Sequence, residues 1–92
     1  MTEARRLVIT GVVQGVGFRY HMSETALRLG ISGWVRNRRD SSVEAVVTGT
    51  PEAVAAMIAW ARRGPDDARV AQVMVEWDAA SAFERFEQRP TA

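Results

Sequence analysis

Residues 31–49 read ISGWVRNRRDSSVEAVVTG, two extended runs, ISGWVRN and VEAVVTG, joined by RRDSS. So short a connection between runs of this kind suits a hairpin of antiparallel strands. What lies on either side then decides the fold. Downstream, Thr50 suits a helix N-cap and Pro51 the first helical position. Val54, Met57, Ile58 and Ala61 follow at i, i+3, i+4 and i+7, and Gly64 with Pro65 ends this helix. Val73, Val75 and Trp77 then alternate with Gln72, Met74 and Glu76, as in a half-buried strand. Upstream, Met22, Ala26 and Leu29 fall one turn apart ahead of Gly30, which suits a helix end. Before them, Leu7 to Val13 is a β-branched apolar run that suits a central strand. The order β-α-β-β-α-β is that of an α+β, ferredoxin-like split βαβ fold, an antiparallel sheet with two helices packed on one face. The tail FERFEQR, residues 83–89, adds a candidate short edge strand whose Phe83 and Phe86 do not keep period two.

The chain has 92 residues, too few to divide apolar volume between two cores, so residues 1–92 are expected to form one domain. With 47% hydrophobic and 25% charged residues it has the composition of a soluble globular protein. Twelve basic residues, all arginine, against eleven acidic ones leave no broad positive field, which argues against nucleic acid as a partner. There is no cysteine, which excludes disulfides, thiolate nucleophiles and cysteine metal sites. The N-terminal apolar run is broken by Thr10 and Gly11, too short to span a membrane and without a cleavage-site pattern, so cytoplasmic residence is expected.

Between the first strand and first helix lies GVVQGVGFR, residues 11–19. Gly15 and Gly17 can take positive φ without a Cβ clash, which lets successive N–H groups turn toward one point. The unpaired N–H groups of the following helix and its partial positive charge point to the same place. Arg19 adds a fork matching two oxygens of a phosphate or carboxylate. The dinucleotide fingerprint would need a third glycine where Tyr20 stands, and a P-loop would need Gly-Lys followed by Ser or Thr. On the glycines alone, a tight turn with a surface arginine competes with an anion cradle.

The rest of the inventory restricts the chemistry. His21 is the single histidine, so no histidine cluster can hold a metal. Ser41, Ser42, Asp40, Asp66 and Asp67 sit in turn-like segments, where such residues commonly make local hydrogen bonds. Arg36, Arg38 and Arg39 read as a solvated strand end that could also attract anions, and Trp34, Trp60 and Trp77 read as packing residues before stacking platforms. An enzyme with this inventory must work by positioning and electrostatics, on a substrate whose leaving group departs unprotonated. A carboxylate leaving phosphorus qualifies, its conjugate acid having a pKa of about 4. Mixed carboxylic-phosphoric anhydrides are therefore the favoured substrate class. A neutral amide can orient the attacking water, and Asn37 in GWVRN is a candidate.

GVVQGVGFR followed by LGISGWVRN (residues 29–37) resembles the paired signature of the acylphosphatases, and the similarity extends through VEAVVTG, GPDDARV (64–70) and the terminal phenylalanines. The resemblance implies hydrolysis of acyl phosphates to a carboxylate and inorganic phosphate by direct attack of water, with neither metal nor cofactor. It implies that the amides of Gly15, Val16, Gly17, Phe18 and Arg19 bind the phosphoryl group with the Arg19 side chain, and that Asn37 positions the water. The implied partners are a small acyl phosphate and inorganic phosphate as product or inhibitor, acting on a monomer. Two alternatives stand beside it: a non-catalytic anion-binding module on the same fold, and a fragment of a larger carbamoyl-transferring protein that matures hydrogenases. A chain beginning at Met1 and ending without a linker favours a free-standing protein over the fragment. The family hairpin usually reads Asp-Gly where this chain has Asp40-Ser41, which leaves the turn type open.

Overall fold

In the computed structural model, which describes residues 1–79 and 83–92, the chain forms β1 (Glu3–Val12), α1 (Phe18–Leu29), β2 (Ser32–Asn37), β3 (Val43–Gly49), α2 (Pro51–Arg63), β4 (Arg69–Trp77) and β5 (Phe86–Gln88). The strands make one sheet in the order β4-β1-β3-β2-β5. The split βαβ core is antiparallel throughout, with Leu7 opposite Ala45 and Val75, and Val35 opposite Ala45. The tail strand β5 is present and lies parallel to β2, so the whole sheet is mixed. Alternation along the strands turns Leu7, Ile9, Val35, Val43, Ala45, Val47 and Val73 toward one face. That face is buried against Met22 and Ala26 of α1 and Val54, Met57 and Ala61 of α2, a single core cluster covered by both helices.

α2 follows its sequence signals closely. The Thr50 Oγ1 accepts from the Ala53 N–H at 3.1 Å, Pro51 opens the helix, and the Gly64 N–H returns to the Trp60 carbonyl at 2.8 Å. Other boundaries move. β1 starts at Glu3, four residues ahead of the apolar run, because ladder partners on both sides, Gly49 and Thr48 in β3 and Trp77 in β4, extend the pairing. α1 starts at Phe18, four residues before Met22, because its cap is Gly17 in the left-handed region and carries no polar side chain that would announce a helix start. Trp77 departs from its packing expectation. It is 70% exposed at the end of edge strand β4, and the Arg5 guanidinium covers its ring at 3.5 Å. Trp60 does pack, edge-on to Phe18 with centroids 5.2 Å apart. That contact anchors the start of α1: Phe18 is 2% exposed, and burying such a ring contributes on the order of 2–3 kcal/mol.

Candidate active site

The loop between β1 and α1 is shaped by two glycines, Gly15 at φ 74° and Gly17 at φ 77°. Gly17 caps α1 without a side-chain partner, and the helical hydrogen bonds begin with the His21 N–H to the Gly17 carbonyl at 3.0 Å. The N–H groups of Phe18, Arg19 and Tyr20 are therefore the unpaired donors of the first turn. No acidic residue occupies that turn, so the positive end of the helix is not neutralised locally. Arg19 stands in the same turn, and among the described residues no carboxylate pairs with its guanidinium.

Asn37 reaches this place through strand parity. Trp34 and Arg36 of β2 face away from the helices, where the Arg36 and Arg89 guanidinium groups each lie 4.8 Å from the Trp34 ring. Val35 and Asn37 consequently face the helices, and Asn37, as the last residue of β2, lies beyond the core at the N-terminal end of α1. Its backbone carbonyl accepts from the Ala92 N–H at 3.0 Å, while its Oδ1 is buried without a hydrogen-bond partner among the described residues. A buried acceptor left unpaired costs about 1–3 kcal/mol, which makes this oxygen a candidate acceptor for a donor entering the recess.

These parts meet in one recess of about 120 Å³, lined by Val13, Gly15, Gly17, Phe18, Arg19, Tyr20, Asn37 and Gln88. Of the residues singled out in the sequence, Gly15, Gly17, Phe18, Arg19 and Asn37 border it together. Val16 instead packs its side chain against the core and borders a neighbouring groove of about 450 Å³ between α1, α2 and the turn at 64–67. That groove is larger but mixes Arg28 and Arg63 with Glu24, Asp66 and Asp67, whose carboxylates make it the poorer place for an anion. His21 lines the groove and not the recess.

Three residues escaped the sequence reading. Gln14 donates through Nε2 to the carbonyls of Arg38 at 2.8 Å and Ser42 at 2.9 Å, tying the glycine loop to the hairpin beyond Asn37. A lone amide inside the apolar GVVQGVG was its available signal. Tyr20 and Gln88 line the recess from opposite ends of the sequence. Gln88 carried no local signal, since only the parallel pairing of β5 with β2 brings it there.

The hairpin turn itself is resolved. Ser41 takes φ 77°, and its N–H donates to the Arg38 carbonyl at 3.1 Å. Asp40 Oδ1 accepts from the Ser42 hydroxyl at 2.5 Å and from the Ser42 N–H at 3.0 Å, and these hydrogen bonds hold the Asp40 carboxyl below its ordinary pKa. Arg36 is engaged by Glu44 and Arg38 lies 3.9 Å from Asp40, so both are tied into local ion pairs beside the site.

The chain and its fold are similar to known proteins. The family model described as Acylphosphatase matches residues 5–88. The acylphosphatase of Thermococcus kodakarensis is 54% identical over 80 residues, covering 87% of this chain and 88% of the relative. That of Nitrobacter hamburgensis is 54% identical over 93 residues, covering 95% of this chain and 94% of the relative. Among solved structures, an acylphosphatase from Coxiella burnetii superposes with a TM-score of 0.92 at 30% identity, covering 96% of this chain and 93% of that one.

Proposed function

The chain belongs to the acylphosphatase family and is an acylphosphatase enzyme, and from that premise we propose how its recess hydrolyses an acyl phosphate. The N–H groups of Gly15, Val16, Gly17, Phe18 and Arg19, with the Arg19 guanidinium, bind the phosphoryl oxygens. Asn37 Oδ1 accepts a hydrogen bond from the attacking water and aims it at phosphorus. As the water oxygen bonds to phosphorus, the bond from phosphorus to the acyl oxygen breaks and its electron pair leaves with the carboxylate. One proton of the water stays on the attacking oxygen and the other passes to a phosphoryl oxygen, so both end on the phosphate product. The leaving carboxylate needs neither protonation nor a Lewis acid, so the scheme uses no metal and no cofactor.

One observation carries this reading: Gly15, Gly17, Phe18, Arg19 and Asn37 line the same recess, and among the described residues neither the Arg19 guanidinium nor the buried Asn37 Oδ1 has a partner. The same reading makes inorganic phosphate a competitive inhibitor, since it fills the phosphoryl cradle alone. On the same reading residues 1–92 form a single domain that acts as a cytoplasmic monomer. No helix among the described residues is long and apolar enough to cross a membrane.

The experiment is hydrolysis of benzoyl phosphate, with a phosphate monoester as control, each with and without a chelator. Turnover of the acyl phosphate that is unaffected by the chelator is expected, and chelator-sensitive hydrolysis of the ester would overturn the mechanism. Arg19→Ala and Asn37→Ala should each remove most activity with the circular dichroism spectrum retained. A near-normal rate in Asn37→Ala would end its water-positioning role.

A further inference from the structure

The short tail strand has a definite side. Phe86 packs against the core, so alternation turns Gln88 to that same face and Glu87 to the other. Gln88 is the register partner of Val35, and Asn37 follows Val35 by two residues on the same face. The Gln88 and Asn37 carboxamides thus reach one recess from adjacent strands. Across from them, Tyr20 in the first turn of α1 is 58% exposed and holds its ring edge-on to His21, with centroids 5.2 Å apart. In the mechanism above the loop amides and Arg19 take the phosphoryl group, and Asn37 takes the water. Val13, which is buried, and the exposed Tyr20 and Gln88 also line the recess, and the mechanism gives them no role.

Resting on that reading of the site, we propose that Gln88 and Tyr20 receive the acyl half of the substrate and select acyl phosphates with uncharged, preferably aromatic, acyl groups. An acyl phosphate differs from a phosphate monoester by one carbonyl oxygen beside the scissile bond, an acceptor with no proton of its own. The Gln88 Nε2 offers two N–H donors and no charge, which suits that oxygen. Negative charge grows on the same carboxylate as the bond to phosphorus breaks, so the hydrogen bond strengthens toward the transition state. Tyr20 presents an aromatic face and a phenol at the mouth, a surface for a ring or alkyl chain. Arg19 is the charged side chain of the lining and is committed to the phosphoryl oxygens, so the recess lining offers an anionic acyl group no second cation.

The test measures kcat/KM for benzoyl phosphate and acetyl phosphate, together with the inhibition constant of inorganic phosphate, in the wild type, Gln88→Leu, Gln88→Glu and Tyr20→Ala. Gln88→Leu should lower kcat/KM for both substrates by about tenfold, the equivalent of one good hydrogen bond, while phosphate inhibition moves by less than about twofold. Gln88→Glu should fall further, and its deficit should grow with pH as the new carboxyl ionises opposite the departing carboxylate. Tyr20→Ala should reduce the preference for benzoyl over acetyl phosphate by about fivefold, within the range of an aromatic contact. The proposal is overturned if phosphate inhibition weakens in step with kcat/KM, because the residues would then only support the cradle. It is also overturned if kcat/KM and the benzoyl-to-acetyl ratio stay at wild-type values. Failure of the wild type to turn over either substrate would instead defeat the underlying site reading.

Discussion

Gln14 donates to the Arg38 carbonyl oxygen at 2.8 Å, and the same amide nitrogen reaches the Ser42 carbonyl at 2.9 Å, so one side chain of the glycine loop holds the turn next to Asn37. The cradle and the water-positioning residue come from segments more than twenty positions apart, and this amide sets their separation. Gln14→Ala should cost about 1–3 kcal/mol of stability, the sum of two ordinary hydrogen bonds. It should also lower kcat by on the order of tenfold or more, since misplacement by about 1 Å can cost a hundredfold. Thermal denaturation with benzoyl phosphate kinetics checks both parts. A wild-type kcat beside a lowered melting temperature would assign Gln14 to stability alone.

Arg19 stands in the first turn of α1 and, among the described residues, has no carboxylate partner, so its fork is free to take two oxygens at once. Lysine keeps the charge but offers a point donor on a flexible stem. Arg19→Lys should therefore lose about 10–100-fold in kcat/KM, the equivalent of one charge-assisted hydrogen bond. The circular dichroism spectrum and melting temperature should stay near wild type. Retention of more than half the wild-type kcat/KM would show that charge alone suffices.

Those two residues differ in how readily the sequence disclosed them. Arg19 and Asn37 could be singled out as candidates because each belongs to a local pattern, a glycine-rich turn into a helix and the end of a strand. The hairpin and α2 were legible for the same reason: Thr50, Pro51 and Gly64 are local chemistry, and the apolar period of α2 is self-contained. The start of α1 was not, since Gly17 caps the helix through backbone conformation and leaves no side-chain signature. Gln14 and Gln88 act across 24 to 28 residues in one case and through the β2–β5 pairing in the other. Such relations exist only after the chain has folded. Trp77 shows the converse, an alternating apolar position that the edge of the sheet leaves uncovered except by Arg5.

Ser41 occupies the left-handed region at φ 77°, a conformation that a residue with a Cβ adopts at a cost of about 1 kcal/mol or slightly more. The Ser42 N–H and hydroxyl on Asp40 Oδ1, with the Ser41 N–H on the Arg38 carbonyl, hold it there. Ser41→Gly should relieve the strain and raise stability by about 0.5–1 kcal/mol, seen as a higher urea midpoint with an unchanged m-value. Activity should stay the same, because Gln14 donates to the backbone carbonyls of Arg38 and Ser42 and not to Ser41. A lower midpoint would mean that the Ser41 side chain makes a contribution larger than its strain.

On the sheet face away from the helices, Glu44 is 6% exposed and bridges two cations, with Oε2 2.6 Å from Arg6 and Oε1 2.7 Å from Arg36. Burial alone would raise its pKa, but the hydrogen bonds from Arg36 and Arg6 and their charges outweigh it, leaving the carboxyl below its ordinary value. A group with a depressed folded pKa contributes stability above its unfolded pKa and loses it as pH falls through the folded value. Glu44→Gln should thus be less stable than wild type by about 1–3 kcal/mol at pH 7, since two partly buried guanidinium groups lose their counter-charge. The difference should shrink as pH drops below about 4, where the wild-type carboxyl begins to take up a proton in the unfolded chain, and vanish once it is protonated in the folded protein too. Urea denaturation of both proteins across this range measures it. A gap between them that is constant with pH would mean that Glu44 acts through packing and not through its charge.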